Sequence, residues 1–136
     1  MTQQIGRMMT RAGFEHFALS LPATEIVHQW GDASVAKVGG KIFAIFSPEG
    51  GEGSGGLSFK CSEMSFALLP DLDGVRPAPY LARAKWVQII DPKALGEDEV
   101  RNYVRAAHGL IAGKLPRKLR AQLGLIDLTA APPQTP

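Results

Sequence analysis

Positively charged side chains flank two aromatic residues in the second half of the sequence. Arg76, Arg83 and Lys85 surround Tyr80 and Trp86 within a short stretch of chain. Ammonium and guanidinium groups bind phosphate oxygens, and aromatic rings stack on nucleobases. These residue types therefore predict a surface that contacts nucleic acid. For the two aromatic side chains themselves we expect packing in the core, with stacking on a base as the alternative, because the segment that starts at Trp86 alternates like a strand.

A second basic cluster lies near the C-terminus. It begins at Lys114 and continues after Pro116 with Arg117, Lys118 and Arg120. Several cations on one surface release counterions when they meet a phosphate backbone, which drives binding that depends on salt. A solvated charged face is the alternative for this cluster.

The charge distribution permits a basic surface without requiring one. The chain has 136 residues and a net charge of +2. Between Lys60 and Arg120 it carries 11 Lys and Arg but only 7 Asp and Glu, so the excess of positive charge falls in one half. Dedicated nucleic-acid-binding domains usually show a stronger excess. The composition alone is thus compatible with several function classes.

Residues that support catalysis or metal binding are sparse. His16, His28 and His108 each lack a second His or Cys at the spacing of a metal site, and Cys61 is the only cysteine. Cys61 also has no adjacent histidine that could activate it. We therefore expect structural or surface roles for these residues, no metal, no cofactor and no enzymatic activity.

A glycine-rich stretch formally matches a dinucleotide-binding pattern. Gly51–Gly56 reads G-x-G-x-x-G. A phosphate cradle needs a strand before the glycines and a helix after them, whereas here a predicted strand, Leu57–Lys60, follows. We interpret Pro48–Gly56 as a flexible hairpin connection.

The first half of the chain predicts a helix followed by an antiparallel meander. Thr10 is expected to cap a helix that ends at Pro22. Its apolar stripe is Phe14, Phe17, Ala18 and Leu21. Gly39-Gly40 predicts a two-residue hairpin, because a type I′ turn needs positive φ at both central positions. The expected strands are Glu25–Trp30, Ser34–Val38, Lys41–Ser47 and Leu57–Lys60.

The second half predicts more helices and one more strand. A short helix from Ser62 to Leu69 is expected to turn Met64, Ala67 and Leu68 towards the sheet. After a turn-rich link, Pro70–Pro79, the pattern predicts a strand at Lys85–Ile90, a helix at Glu97–Ala112 and a basic helix from Pro116 to Gly124. Together these elements predict an α+β two-layer sandwich, with an antiparallel sheet and helices packed on one side. Trp30 and Trp86 are expected to anchor its core.

The length suits one domain, which we place at residues 1–126, with a flexible tail at 127–136. The N-terminus has no apolar run typical of a signal peptide, and no segment reaches the roughly 20 apolar residues of a membrane span. We expect a cytoplasmic protein, and a monomer by default.

Several short motifs follow one another in a family-specific order. They are Trp30-Gly31-Asp32, Lys37–Ala44, Leu57–Cys61, Pro70 with Gly74–Tyr80, Trp86-Val87 and Lys114–Leu119. In this order the chain resembles the MmcQ/YjbR family of small bacterial proteins from about Leu21 to Leu119. One departure is Leu81, where many members have a histidine after the tyrosine.

The resemblance implies a fold likened to bacterial frataxins and also described as a double wing. It implies DNA as the partner, mainly on structural grounds. Iron binding does not follow, because the first helix carries only Glu15 as an acidic residue. We therefore expect non-specific contacts to the DNA backbone from Arg76, Arg83, Lys85, Lys114, Arg117, Lys118 and Arg120. A protein-interaction or regulatory module, or a small-molecule or enzymatic cleft near Tyr80 and Trp86, are the alternatives.

Overall fold

An antiparallel sheet forms the centre of the molecule. A computed structural model describes residues 7–30, 32–48 and 56–125. Within these ranges the sheet has six strands in the order β1-β2-β3-β4-β6-β5. The strands are β1 (Thr24–Gln29), β2 (Ala33–Val38), β3 (Lys41–Ser47), β4 (Gly56–Lys60), β5 (Val75–Pro77) and β6 (Trp86–Ile89). The helices are α1 (Arg11–Leu19), α2 (Glu63–Leu68), α3 (Glu97–Ala112) and α4 (Arg117–Gln122).

Helices α1 and α3 cover one face of the sheet, so the predicted α+β architecture is confirmed. Helix α1 contacts β1 and β2, while α3 crosses β2, β3 and β4. Phe14 of α1 stacks on Phe46 of β3, and Tyr103 of α3 stacks on Phe59 of β4. Burial of these apolar faces drives the two layers together. The tail 127–136 and most of the Pro48–Gly56 connection lie outside the described residues.

Local sequence signals account for the ends of several elements. The Thr10 hydroxyl accepts a hydrogen bond from the Gly13 N–H, 3.1 Å away, and so caps α1. Ser62 caps α2 in the same manner through the Ser65 N–H, at 3.1 Å. At the β2–β3 turn, Gly39 and Gly40 have φ of 59° and 82°. The predicted two-residue hairpin is therefore confirmed.

Helix α2 does not face the sheet as the sequence pattern suggested. Met64 and Leu68 are 73% and 60% exposed, and Ala67 is also exposed. Phe66 is the side chain of α2 that packs against the core. A helix of six residues is too short for its periodicity to identify the buried side, so the prediction for Met64, Ala67 and Leu68 was wrong.

The predicted turn-rich link contains a strand that the sequence did not reveal. Strand β5 has three residues and pairs with β6 at the edge of the sheet. It ends at Pro77, which has no N–H to donate to a ladder and is tolerated at an edge. Its brevity and its proline both hide a strand from pattern analysis.

The segment 78–85 crosses the sheet face opposite α1 and α3. It holds a 3₁₀ turn, Ala82–Ala84, and it is tied to β6 because the Trp86 N–H donates to the Leu81 carbonyl at 3.3 Å. Lys60 of β4 donates to the Ala84 carbonyl from the same face. Trp86 lies beneath this segment at 5% exposure, as expected of a core anchor. The segment therefore leaves only part of that sheet face uncovered.

Candidate functional site

A pocket of about 330 Å³ lies on the sheet face opposite the helices. We call it the aromatic pocket. Its floor comes from β2, β3, β4 and β6, and its rim from the β1–β2 turn and the segment 78–85. The lining residues are Trp30, Ala33, Ile45, Ser47, Ser58, Pro79, Tyr80, Leu81 and Gln88. The volume is at the lower end of the range for small-ligand sites, roughly 300–1,000 Å³.

Tyr80 stands on a strained turn at the rim of the aromatic pocket. The Leu81 N–H donates to the Ala78 carbonyl at 3.1 Å, which closes a four-residue turn with Pro79 at its second position. Tyr80 occupies the third position with φ of 67°, where glycine or asparagine is favoured. Its side chain is fully exposed. The expectation that Tyr80 packs in the core was therefore wrong.

Trp30 occupies a similar position on the other side of the pocket. It begins the β1–β2 turn with φ of 56°, and its side chain is 58% exposed. Arg11 of α1 holds this turn, because it donates to the Asp32 carbonyl at 2.7 Å and to the Asp32 carboxylate at 3.0 Å. Trp30 is thus not the core anchor that the sequence suggested. Because Trp30 lies at a turn, its ring is exposed although it is hydrophobic.

The lining of the aromatic pocket suits binding better than catalysis. It contains no carboxylate, histidine or cysteine, and its charged neighbours lie outside the lining. Ser47 and Ser58 place hydroxyl groups in it, but a serine nucleophile needs an adjacent base to take its proton. The lining therefore combines apolar surface with a few hydrogen-bonding groups.

A basic surface adjoins the pocket at one end of β4 and β6. Burial is the main cause that lowers the pKa of the Lys60 ammonium, and the nearby positive charges of Lys114 and Lys85 lower it further. Cys61 and Glu63 act in the other direction without reversing the shift. These lysines come from three separate segments of the chain. Folding therefore concentrates positive charge that the sequence distributes.

Arg83 and Lys85 extend this surface along the segment 78–85. Arg83 is exposed within the 3₁₀ turn. Lys85 has φ of 66°, and its ammonium lies 5.2 Å from the centre of the Phe66 ring. A cation over an aromatic face is attracted to it, which orients the lysine at this site. Both residues follow directly after the rim of the aromatic pocket.

The C-terminal cluster begins at Lys114, whose positive charge acts on Lys60. Lys114, Arg117 and Lys118 are exposed at the end of α3 and the start of α4. We define the basic surface as Lys60, Arg83, Lys85, Lys114, Arg117 and Lys118. Across residues 7–30, 32–48 and 56–125, none of these six cations has a carboxylate oxygen within 4.0 Å.

Two of the predicted arginines are committed to the protein's own structure. Arg76 Nε donates to Gln88 Oε1 at 2.8 Å across β5 and β6. Arg120 Nη1 donates to the carbonyls of Gly113 and Leu115, at 2.9 and 3.0 Å. The contact with Gly113 satisfies the carbonyl of the residue that caps the C-terminus of α3. We therefore give Arg76 and Arg120 a supporting role, and their contact with phosphate stays a prediction.

The aromatic pocket and the basic surface share one face of β4. Ser58 lines the pocket and Lys60 belongs to the basic surface. Residues two apart in a strand project from the same face, about 7 Å from each other. Leu57 and Phe59 alternate with them and enter the core under the helices. One ligand can therefore reach both features.

A serine, a histidine and a glutamate also meet between α1, β1 and β2. Ser34 Oγ donates to Glu15 Oε2 at 2.5 Å, and His28 Nε2 contacts the same oxygen at 2.5 Å. Burial raises the pKa of Glu15, but the hydrogen bonds from Ser34 and His28 outweigh it and the net pKa is lowered. A catalytic triad needs the histidine between serine and carboxylate, which this arrangement does not provide.

Burial limits the reactivity of Cys61. Cys61 is 4% exposed and burial raises the pKa of its thiol, so the reactive thiolate is disfavoured. The residues that the structure describes bring no three His, Cys, Asp or Glu side chains together as a metal site.

No helix in the described part of the chain has the length and apolar character to span a bilayer.

Comparison with known families decides the relationship of this chain. Residues 19–110 match the family described as YjbR. The match covers most of the sequence. The chain belongs to the YjbR family. No curated protein matches the sequence.

A solved structure supports the fold of this YjbR-family protein. The chain is similar to the Deinococcus radiodurans protein DR2400, which has a DUF419 domain, with a TM-score of 0.77 and 19% identity. The similarity covers 88% of this chain and 91% of that one. At this identity the likeness establishes the shared architecture. The resemblance noted from the motifs is thus confirmed.

Sequence reasoning found most of the cations in the YjbR-family protein but missed two important residues. Lys60 escaped notice because it ends a predicted strand and its neighbours in space are remote in sequence. Trp30 was assigned to the core because a large aromatic residue is usually buried. Two signals were present: Lys60 alternates with core residues, and Trp30 precedes the Gly31-Asp32 turn.

Proposed function

We propose that this YjbR-family protein binds DNA, mainly through the phosphate backbone, and that the basic surface is its contact region. Phosphate contacts position a protein on DNA without reading its sequence. The described residues include no recognition helix with base-reading side chains like those of helix-turn-helix proteins, so the proposal implies weak sequence preference.

The observation that carries this proposal is the convergence of positive charge from separate segments. Lys85 and Lys114 each act electrostatically on Lys60 after folding. In the described part of the chain no carboxylate pairs with any cation of the basic surface. Unpaired neighbouring cations repel, and a polyanion relieves this repulsion. The surface is thus better suited to an anionic polymer than to a neutral partner.

A catalytic role has weaker support. The aromatic pocket contains no group that acts as a general acid or base near neutral pH. The Ser34, Glu15 and His28 contacts also lack the geometry of an activated nucleophile. We therefore propose a binding protein that carries out no reaction on the DNA.

Charge reversal on the basic surface tests the proposal. The double variant Lys114→Glu with Lys118→Glu should bind a short duplex about tenfold or more weakly at low salt, because two phosphate contacts become repulsive. Fluorescence anisotropy with a labelled duplex measures this affinity. Both side chains are exposed, so the thermal unfolding midpoint should stay close to that of the wild type.

Lys93→Glu is the matched control. Lys93 is exposed and follows β6 at the end of the strand opposite Trp86, away from the basic surface. It changes the net charge by half as much as the double variant, without altering the proposed contact region. Equal affinity of the double variant and the wild type would remove the basis of the proposal.

A further inference from the structure

We infer that the aromatic pocket receives one unpaired nucleobase of a single DNA strand whose phosphates lie on the basic surface. This inference rests on the proposed function and extends it from duplex phosphates to the base of a single-stranded ligand. It assigns a nucleobase to the aromatic pocket, which the phosphate contacts do not use.

The size and lining of the pocket are compatible with one planar ring. A volume of about 330 Å³ is large enough for a single ring system. Trp30 and Tyr80 provide aromatic surfaces at its rim. Bases stack on such side chains regardless of their identity, because every base has a π-face.

The backbone at both aromatic residues indicates that their exposure serves binding. Trp30 and Tyr80 have φ of 56° and 67°, a region that bulky L-residues rarely adopt. Residues held in this region concentrate at ligand sites, where the surrounding structure compensates for their strain. The chain thus holds two large rings at the surface in positions where glycine would be more stable.

The distribution of polarity in and around the pocket matches a nucleotide. The lining carries no charge, while Ser47 and Ser58 place hydroxyl groups at its floor. Those groups are suited to the polar edge of a base. Lys60 and Arg83 lie just outside, two residues beyond Ser58 and Leu81. A neutral ring inside and an anionic phosphate outside is the charge pattern of a nucleotide.

Replacement of Tyr80 by glycine tests the inference without disturbing the fold. Glycine accepts the positive φ of this position, so Tyr80→Gly should not lower the thermal unfolding midpoint. Affinity for a labelled single-stranded oligothymidine should fall about tenfold, the effect of losing one stacking ring. Affinity for a duplex of the same length should remain unchanged, because paired bases do not enter the pocket.

Two matched controls accompany this variant. Tyr80→Phe keeps the ring and should keep the single-strand affinity. Met64→Ala removes another exposed apolar side chain, 73% exposed on α2, and should leave both affinities unchanged. These controls separate stacking in the pocket from a general loss of apolar surface.

A second readout uses the two tryptophans of the chain. On titration with thymidine monophosphate, the NMR signal of the Trp30 indole N–H should shift, while that of buried Trp86 should not. Trp30→Phe assigns the two signals. This measurement reports occupation of the pocket without a DNA strand.

The outcomes distinguish the two proposals. Unchanged single-strand affinity of Tyr80→Gly, together with an unmoved Trp30 signal, would overturn the pocket assignment while leaving phosphate binding intact. A wild-type protein that binds neither oligonucleotide at low salt would instead overturn the proposed function itself.

Discussion

His108 shows how one buried side chain links stability to pH. It is 2% exposed on α3, and its Nε2 lies 2.7 Å from the Pro22 carbonyl, to which it donates. Its ring also packs edge-on against Phe43, with 5.2 Å between centroids. Burial lowers the pKa of the imidazole, and the hydrogen bond to Pro22 opposes this effect only in part. Folding therefore favours the neutral form of His108.

The pH dependence of unfolding follows from this shift. Below about pH 6.5 the unfolded chain protonates His108 more readily than the folded chain, so the free energy of unfolding should fall as the pH drops towards the lowered folded pKa. The slope is at most about 1.4 kcal/mol per pH unit for one proton. Urea denaturation at several pH values between about 7 and 5, the range in which histidine titrates, measures this slope. His108→Gln keeps a donor for Pro22 and should flatten this dependence; an unchanged slope would contradict the assignment.

Residue type alone gave the wrong prediction of burial for the two most exposed aromatic side chains. Trp30 and Tyr80 are large and hydrophobic, and composition assigns such residues to the core. Trp86, by contrast, alternates within a strand and is buried as expected. What separates them is backbone conformation at a turn, which neither hydropathy nor periodicity records. Proline before Tyr80 was the one available signal of a turn there.

At the scale of elements, the β2–β3 hairpin packs on the segment that carries the basic cluster. A methyl group added to Gly39 would lie 2.5 Å from Cδ1 of Leu115, a side chain that is itself only 3% exposed. Leu115 directly follows Lys114. The turn thus supports the end of α3 and the start of α4. Gly40, the next residue, has no atom within 4 Å of such a methyl group.

These two glycines form a matched pair for a stability test. Both have positive φ, so alanine strains the backbone at either position. Gly39→Ala should additionally overpack the contact with Leu115, and should cost about 1–3 kcal/mol more of the free energy of unfolding than Gly40→Ala. Chemical denaturation measures the difference. Equal losses for the two variants would mean that the hairpin does not support the Leu115 segment.

Most elements could be predicted because their signals are local. Helix α3 follows from its apolar stripe, and the β2–β3 hairpin from its two glycines. Strand β5 and the orientation of α2 could not be predicted, because three and six residues are too few to define a period. Their placement depends on contacts with β6 and the core. For such short elements, tertiary contacts rather than local propensity determine the conformation and the side that is buried.

At the scale of the whole molecule, function depends on where folding brings charges together. The cations of the second half were visible in the sequence, but their convergence with Lys60 was not, because it requires the pairing of β4 with β6 and the crossing of the segment 78–85. The same crossing forms the aromatic pocket. The sheet face opposite the helices therefore carries the aromatic pocket and Lys60, while the remaining cations of the basic surface include those at the junction of α3 and α4.

The dependence of duplex affinity on salt tests the central claim most directly. Each phosphate contact should contribute about −0.9 to the slope of log K against log salt concentration, so contacts by Arg83, Lys85, Lys114, Arg117 and Lys118 predict a slope of about −4.5. Lys118→Ala should make the slope less steep by about 0.9, whereas Lys93→Ala should leave it unchanged. A slope near zero, or equal slopes for the wild type and Lys118→Ala, would contradict phosphate binding by the basic surface.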